Sequence, residues 1–262
     1  MTAPKHPAPG APLLSVADGC ATIRLNRPAH MNRLHREDLL ALRAHLDAVA
    51  GDPAVRVLVL TGTGRAFCSG YHIGHLDADA SAASEDPQLF ERTVDALEAL
   101  PMPTLARLNG GVYGGATDLA LACDFRIGID AMELRMPAAR LGLHYYPNGL
   151  RRYVSRLGLG PAKRLFMLAE SVDATELLRI GYLDFCVPAD QLDAKVRSLV
   201  ADLAANAPLA VRGMKASLNE IARGEFDVEA TRSREAACTA SADLREGLAA
   251  FAQKRVPRFV GR

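Results

Sequence analysis

The amino-acid sequence predicts an α/β fold in which spiralling ββα turns are followed by a helical C-terminal part. Two short apolar runs, residues 55–60 and 103–108, lie about one repeat length apart, and a glycine-rich turn follows each of them. Short strands that alternate with helices at this spacing indicate stacked or spiralling turns rather than a simple barrel. After residue 148 strand patterns become sparse and helical periodicity dominates.

The N-terminal elements are predicted as a hairpin, a helix and a buried strand. Residues 13–16 and 20–25 flank Asp-Gly at 18–19, a dipeptide typical of a tight hairpin turn. Residues 37–50 carry leucine and valine with a helical period, which predicts one buried face. The valine-rich run 55–60 is bounded by turn residues and therefore predicts a buried strand.

The alternation continues before the chain turns helical. Helices are predicted over 89–100 and 115–123, and strands over 103–108 and 125–129. Later helices are predicted over 160–170, 174–180, 192–204, 207–221 and 242–251, with one extended stretch at 183–187. We expect a flexible tail over 1–12, a ββα core over 13–190 and a helical region over 191–262, whose apolar stripes suit an oligomer interface.

Length and composition indicate a globular protein of one large domain or one domain with an appendage. Of the 262 residues, 49% are hydrophobic and 23% are charged, and the net charge is +1. A nucleic-acid partner is not expected at this charge, because phosphate binding needs clustered Lys and Arg. No run approaches the roughly 18 apolar residues of a membrane span, and no signal peptide is recognised, so a membrane partner is not expected.

The cysteines and histidines predict neither disulfides nor a metal site. The five cysteines are scattered and form no Cys-x-x-Cys, and the seven histidines lack the spacing of metal ligands. Scattered cysteines of odd number are typical of reduced thiols. We therefore expect a cytoplasmic protein without a bound metal.

The stretch 108–118 carries the clearest chemical signal, because an extended run enters a glycine-rich turn and opens directly into a helix. Backbone N–H groups at a helix start lack intrahelical partners and suit a negative oxygen. Gly114 and Gly115 permit close approach to this backbone, and Asp118 lies in the first helical turn. The alternative is that the glycines only turn the chain and Asp118 only caps the helix.

A second glycine turn, at 62–73, follows the strand predicted at 55–60. It begins Gly-x-Gly, but Phe67 stands where a dinucleotide-binding loop has glycine, and the Walker pattern is also absent. Both nucleotide-binding interpretations are therefore excluded.

Four motifs together resemble the crotonase superfamily, which is the enoyl-CoA hydratase/isomerase family. They are RAFCSG at 65–70, NGxxxGGA at 109–116, LNRPxxxN at 25–32 and EGxxAFxxKRxPxF at 246–259. The resemblance implies a crotonase-like spiral of ββα turns with a helical trimerisation region, assembled as a homotrimer or a dimer of trimers. It further implies an acyl-CoA thioester substrate, in fatty acid metabolism, and no separate cofactor, because coenzyme A is part of the substrate.

The resemblance also assigns roles to residues. The backbone N–H groups of Tyr71 and Gly115 would hold the thioester oxygen while it becomes an enolate. Coenzyme A would be contacted at Ala29, Ala66, Ser69 and Lys254, with the C-terminal region covering its site. The segments 87–100 and 144–150 are expected to line the acyl pocket.

The acids of the family are matched only in part. Family hydratases use two glutamates, and the first of these positions holds Asp118, whereas the second holds Ala138. Hydration by two acids is therefore not expected. Isomerisation needs only one base, and decarboxylation forms the enolate without one, so either reaction is compatible with a single carboxylate.

The segment after the vacant acid position is similar to methylmalonyl-CoA decarboxylases of the superfamily, which place a tyrosine at the position of Tyr145. We therefore expect Tyr145 or His144 to be an auxiliary catalytic group. Those decarboxylases have histidine at the position of Tyr71, whereas here the histidine is the next residue, His72.

Other interpretations of these residues remain open. His144, Tyr145 and Tyr146 would simply line a helix entrance, and His72 and His75 would be solvated. The protein as a whole would then be a member of the same fold that binds coenzyme A, or RNA, without efficient chemistry. The near-neutral charge argues against RNA.

Overall fold

The computed structural model describes residues 10–72 and 86–262, and strands and helices alternate along most of this range. The strands are β1 (Gly10–Ala17), β2 (Cys20–Asn26), β3 (Val57–Gly62), β4 (Ala66–Cys68), β5 (Thr104–Leu108), β6 (Gly111–Tyr113), β7 (Phe125–Ile129), β8 (Glu133–Arg135), β9 (Ser171–Asp173) and β10 (Phe185–Val187). The helices are α1 (Arg36–Gly51), α2 (Leu89–Glu98), α3 (Gly115–Leu121), α4 (Pro147–Leu157), α5 (Leu159–Lys163), α6 (Ala174–Arg179), α7 (Leu192–Ala204), α8 (Pro208–Arg223), α9 (Val228–Ala240) and α10 (Ala242–Gln253).

The strands form two sheets. The larger has six strands in the order β1-β2-β3-β5-β7-β10, and the smaller has four in the order β4-β6-β8-β9. Among the strand pairs of the described residues, only β1–β2 and β8–β9 are antiparallel. Parallel neighbours need crossover connections: α1 connects β2 to β3, and each later crossover within the larger sheet passes through a strand of the second sheet and a helix.

The two sheets are built by one repeated unit. β3, β5 and β7 are neighbours in the larger sheet, and the strands that follow them, β4, β6 and β8, are neighbours in the smaller sheet in the same order. The helices that come next, α2, α3 and α4, pack against one another. This confirms the predicted α/β spiral of ββα turns, and it places three helices from different turns side by side.

The hairpin predicted at 18–19 is present, but its first strand starts earlier than expected. Asp18 and Gly19 have φ of 49° and 74°, the left-handed pair that a two-residue turn between twisted strands requires. β1 begins at Gly10, inside the segment 1–12 that we assigned to a tail, and residues 1–9 lie outside the described range. Pairing of Gly10 with Asn26 holds this start in the sheet.

Several short elements escaped sequence analysis. The strands of the smaller sheet have three residues each, too few for a period of two to be recognised. α4 and α9 were also missed, because α4 is rich in arginine and α9 buries no residue. The helix predicted over 160–170 is instead the short α5 followed by a π-helical turn at Arg164–Leu168.

The larger sheet is covered on both faces. β3 is buried along its whole length, which explains why its sequence is a nearly continuous apolar run rather than an alternation of polar and apolar residues. One face joins the main core with α1 and α2, and the other packs Val57, Val59 and Leu105 against α7. Of the C-terminal helices, α8 and α9 contain no buried residue. No helix in residues 10–72 and 86–262 is long and apolar enough to cross a bilayer.

Candidate active site

The two glycine-rich turns meet at one point of the spiral. Gly70 has φ of +95°, and a Cβ atom built on it would lie 2.8 Å from Tyr113 O and 3.2 Å from Gly115 N. Both the left-handed φ and this close approach require glycine. The turn after β4 and the turn that opens α3 are therefore in direct backbone contact, as neighbouring turns of the spiral allow.

Two buried or partly buried asparagines hold the backbone between β3 and β4. Asn32 Nδ2 donates to Thr63 O and Ala66 O, both at 2.9 Å, and to Phe67 O at 3.1 Å. Asn109 Nδ2 donates to Gly64 O at 2.8 Å and to Ala66 O at 3.1 Å. Both asparagines belong to the sequence motifs, and their position shows that they fix the shape of the first turn.

Cys68 and Leu34 complete the turn at Gly70. Gly70 N donates to Cys68 Sγ at 3.3 Å, and burial raises the pKa of this thiol to about 12, so it remains protonated at neutral pH. Leu34 N donates to Gly70 O at 2.9 Å, and His72 N donates to Leu34 O at 2.8 Å. These bonds involve the residues on either side of Tyr71, and the N–H of Tyr71 itself takes no part in them.

Two backbone amides at this junction have no acceptor among the described residues. Gly115 is the first residue of α3, so its N–H has no intrahelical partner. Within the part of the chain that the structure describes, neither Gly115 N nor Tyr71 N donates to a backbone carbonyl. Two unpaired donors therefore lie on adjoining turns, an arrangement that suits a developing oxyanion.

Asp118 lies one helical turn beyond Gly115 and is fully buried. Its Oδ2 accepts hydrogen bonds from Arg152 Nη1 at 2.6 Å and from the Tyr146 hydroxyl. Its Oδ1 has no hydrogen-bond partner among the described residues. Burial raises the pKa of Asp118, although the Arg152 charge and the hydrogen bonds from Tyr146 and Arg152 act in the opposite direction.

Arg152 joins Asp118 to two further carboxylates. Its Nε donates to Glu98 Oε1 at 3.0 Å, and its Nη2 donates to Asp95 Oδ1 at 2.7 Å. The guanidinium is completely buried. Although burial acts in the opposite direction, the charge of Arg152 and hydrogen bonds from Arg152 and Arg151 lower the pKa of Glu98 to about 2. The network thus keeps Glu98 ionised at neutral pH.

Aromatic rings form a wall between the glycine turns and Asp118. The ring of Phe90 lies so close to Gly115 that a Cβ there would be 2.7 Å from Phe90 Cζ. The Phe90 ring centroid is 5.6 Å from that of Tyr71 and 6.0 Å from that of Tyr146. Tyr146 in turn stacks on Tyr145 at 4.3 Å. Aromatic rings therefore line the junction of the two turns beside the Asp118 carboxylate.

Comparison with known proteins decides the family. The model of the enoyl-CoA hydratase/isomerase family matches residues 15–262. The chain belongs to this family. It is 32% identical over 254 residues to a crotonyl-CoA hydratase of Syntrophomonas wolfei, covering 95% of this chain and 98% of the relative. It is 30% identical to a 2,3-dehydroadipyl-CoA hydratase of Escherichia coli, covering 92% and 94% of the two chains.

Solved structures of the enoyl-CoA hydratase/isomerase family share the fold over almost the entire chain. An enoyl-CoA hydratase from Bacillus anthracis superposes with a TM-score of 0.88 at 29% identity, covering 97% of this chain and 100% of the other. An enoyl-CoA hydratase/carnithine racemase from Magnetospirillum magneticum gives a TM-score of 0.91 at 27% identity, covering 97% and 96%. The crotonase-type architecture predicted from the motifs is therefore confirmed.

The residues that follow Ala138 lie at different distances from Asp118. Tyr146, rather than Tyr145, contacts Asp118, and the Tyr145 hydroxyl lies 3.4 Å behind it. His144 is exposed, with Nδ1 2.8 Å from Tyr145 O. Ala138 is buried in a 3₁₀ turn at Ala138–Leu141 and brings no polar group to the site. The only signal that singles out Tyr146 is its place directly before Pro147, at the start of α4.

The residues expected at coenzyme A fall in two places. Ser69 lies beside the 3₁₀ turn Pro28–His30 that contains Ala29, since Ser69 N donates to Met31 O at 2.8 Å and Ser69 Oγ donates to His30 O at 3.1 Å. Ala66 is buried, and its carbonyl accepts from both motif asparagines. Lys254 is exposed at the end of α10, which packs on α9.

The two histidines of the turn were expected to be solvated. The His72 ring is half-buried and stacks on His35 with centroids 4.9 Å apart. His75 lies outside the described residues. Arg152 is a site residue that no motif marks, whereas Phe90 and Tyr146 lie in the segments 87–100 and 144–150 expected to line the acyl pocket.

Proposed function

We propose that this chain is an acyl-CoA enzyme that stabilises the enolate of a thioester with the Tyr71 and Gly115 amides and moves a proton with Asp118. The observation that carries the proposal is the contact between the Gly70 turn and Gly115 N, with Asp118 one turn further along the same helix. The family membership supports a thioester as the substrate.

The two amides would supply the largest part of the catalytic effect. Charge develops on the thioester oxygen when a proton or carbon dioxide leaves the neighbouring carbon. Donors already aimed at that oxygen need no reorganisation, and removing one such donor costs about 3 kcal/mol in known enzymes. The hydrogen bonds of Asn32, Asn109 and Cys68 keep one of the two turns in place before substrate arrives.

Asp118 is suited to be the single acid/base. Its pKa is raised by burial, which brings the carboxylate nearer to the range in which it both accepts and releases protons. In isomerisation of a 3-enoyl thioester, the ionised carboxylate would take a proton from C2 and return it to C4. The double bond then moves into conjugation with the carbonyl, and the carboxylate is regenerated.

Decarboxylation uses the same amides but needs no base. Loss of carbon dioxide from methylmalonyl-CoA leaves the electron pair on the α-carbon as an enolate, and a protonated Asp118 or a water molecule then supplies the proton. The Tyr146 hydroxyl, bonded to Asp118 Oδ2, is better placed than Tyr145 or His144 to assist this proton transfer.

Hydration is the second candidate, because the relatives compared above carry hydratase names. A water molecule must then be activated and a proton delivered to the α-carbon by one carboxylate, since Ala138 occupies the second acid position. We expect hydration to be slower than isomerisation for this reason.

The test is mass spectrometry of three thioesters incubated with the protein. Crotonyl-CoA gains water on hydration, a 3-enoyl-CoA keeps its mass but shifts retention on isomerisation, and methylmalonyl-CoA loses carbon dioxide. Asp118→Asn should lower isomerisation or hydration by about 100-fold or more, and decarboxylation by less, because loss of carbon dioxide needs no base. Asp202→Asn, at an exposed position of α7, is the matched control.

Two outcomes would count against the proposal. Unchanged turnover by Asp118→Asn on every processed thioester would remove Asp118 from the mechanism. Tight binding of coenzyme A with no product from any thioester would favour a binding protein that has kept the fold without its chemistry.

We also propose assembly as a homotrimer or a dimer of trimers, located in the cytoplasm. Large apolar side chains are exposed on the C-terminal helices, among them Met214, Leu218 and Phe251. The five cysteines are free thiols, which suits a reducing compartment. Light scattering of the purified protein gives the subunit number directly.

A further inference from the structure

We infer that Arg152 and Glu98 form a positioning pair that selects the oxygen of Asp118 used for proton transfer and sets the pH range in which it works. The inference rests on the proposed role of Asp118 as the acid/base. Arg152 and Glu98 are positioning residues, since they act through Asp118 and touch no reacting atom.

The stacked helices explain why the pair is rigid. Asp118 lies on α3, Glu98 on α2 and Arg152 on α4, and each of these helices comes from a different turn of the spiral. The planar guanidinium of Arg152 connects α4 to both other helices, with Nη1 2.6 Å from Asp118 Oδ2 and Nε 3.0 Å from Glu98 Oε1. Any rotation of the Asp118 carboxylate would break a fully buried ion pair.

This geometry divides the two oxygens of Asp118. Oδ2 is held by Arg152 and by Tyr146, whereas Oδ1 is buried and has no partner in the described part of the chain. A buried carboxylate oxygen without a partner is rare in a resting fold. Oδ1 is therefore the atom available to exchange a proton with the substrate.

Charged and titratable groups surround Asp118 from every side. Asp95 and Glu98, at the end of α2, are linked to it by Arg152. Four tyrosine hydroxyls also lie near it: those of Tyr145 and Tyr146 just before α4, of Tyr153 within α4 and of Tyr182 after α6. Arg152 is the positive charge in contact with it. The Arg152 charge lowers the pKa of Asp118, and the Glu98 charge raises it.

The two charges should therefore shift the pH profile in opposite directions. Asp118 must be ionised to act as a base, so the acid limb of kcat/KM follows its pKa. Glu98→Gln removes a negative charge, lowers the pKa of Asp118 and moves the acid limb to lower pH. Arg152→Gln removes a positive charge and moves the limb to higher pH by about one pH unit or more.

The experiment compares these variants on crotonyl-CoA or 3-hexenoyl-CoA, whichever the wild-type protein converts faster, because both reactions use Asp118 as a base. Arg152→Lys keeps the charge but loses the planar fork, so kcat should fall at least tenfold while the limb stays near its wild-type pH. Glu229→Gln, exposed on α9, is the matched control and should leave the profile unchanged.

A second readout does not depend on turnover. NMR of protein labelled with ¹³C at the aspartate carboxyl groups follows the titration of Asp118 directly, with its signal assigned by loss in Asp118→Asn. The same opposite shifts are expected there. If Arg152→Gln does not fold by circular dichroism, Glu98→Gln and Arg152→Lys decide the question.

The outcomes separate the inference from the proposed function. Opposite displacements support the inference. Limbs that stay in place, or move in the same direction, would overturn it and point to a purely structural ion pair. If Asp118→Asn turns over thioesters at the wild-type rate, the proposed function fails, while the NMR titration still tests the coupling.

Discussion

Gly70→Ala should separate the catalytic role of the glycine turn from its role in stability. A Cβ at position 70 would lie 2.8 Å from Tyr113 O, about 0.6 Å inside the ordinary contact distance of 3.4 Å. The turn must therefore move away from Tyr113 O by a similar distance. A misplacement of this order displaces the Tyr71 amide from the proposed oxyanion position.

The expected loss of kcat for Gly70→Ala is about 100-fold, because misplacing a preorganised donor removes most of its contribution. The left-handed φ of +95° adds about 1–2 kcal/mol of backbone strain to the folded state. The assay is kcat and KM on the processed thioester, together with the free energy of unfolding in urea.

Gly224→Ala is the matched control for that strain. Gly224 has φ of +71°, and no atom lies within 4 Å of a Cβ built there. This variant should lose about 1 kcal/mol of stability and keep its activity. A folded Gly70→Ala protein with wild-type kcat would refute the assignment of this turn to the oxyanion site.

Three further predictions follow from the same geometry. Ala138→Glu restores a second carboxylate at the position matched to the family acid, so water addition to crotonyl-CoA should rise at least tenfold over Ala138→Gln, measured as loss of enoyl-thioester absorbance; equal rates in the two variants would contradict it. Asn32→Ala leaves Thr63 O and Phe67 O without this donor, while Ala66 O keeps Asn109, and should lower the urea unfolding free energy by about 2 kcal/mol; a loss below about 0.5 kcal/mol would contradict the role of Asn32 in holding this turn. The pKa of Glu98 is about 2 in the folded protein, below its unfolded value. Ionised Glu98 therefore contributes about 3 kcal/mol to the free energy of unfolding above roughly pH 5, and this contribution is lost as the pH falls toward 2. The difference in unfolding free energy between wild type and Glu98→Gln, measured from pH 7 to pH 3, should shrink in acid.

Much of the fold could be predicted because its signals are local. The hairpin at Asp18 and Gly19 depends on two left-handed residues, and α1 depends on a repeated apolar face. The smaller sheet could not be predicted in the same way, since three-residue strands such as β4 and β6 are stabilised by their neighbours and not by their own pattern.

Only part of the candidate site could likewise be predicted from local sequence. The glycines at 70 and 115 and the acid at 118 were recognised from motifs, because backbone approach and positive φ restrict which residue fits. The choice between Tyr145 and Tyr146 could not be made from sequence, since consecutive side chains at a helix entrance point in different directions.

By itself, the sequence indicated the family, located the two glycine turns and predicted Asp118 as the single family acid. Only the tertiary structure decided what surrounds that acid. Arg152 and Glu98 are 54 residues apart in the chain, and they meet because successive turns of the spiral stack α2, α3 and α4. The physical reason is that buried charges are removed from water and must be paired with another charge or hydrogen-bonding group. The partners can lie far apart in the chain, so the local sequence pattern does not identify them.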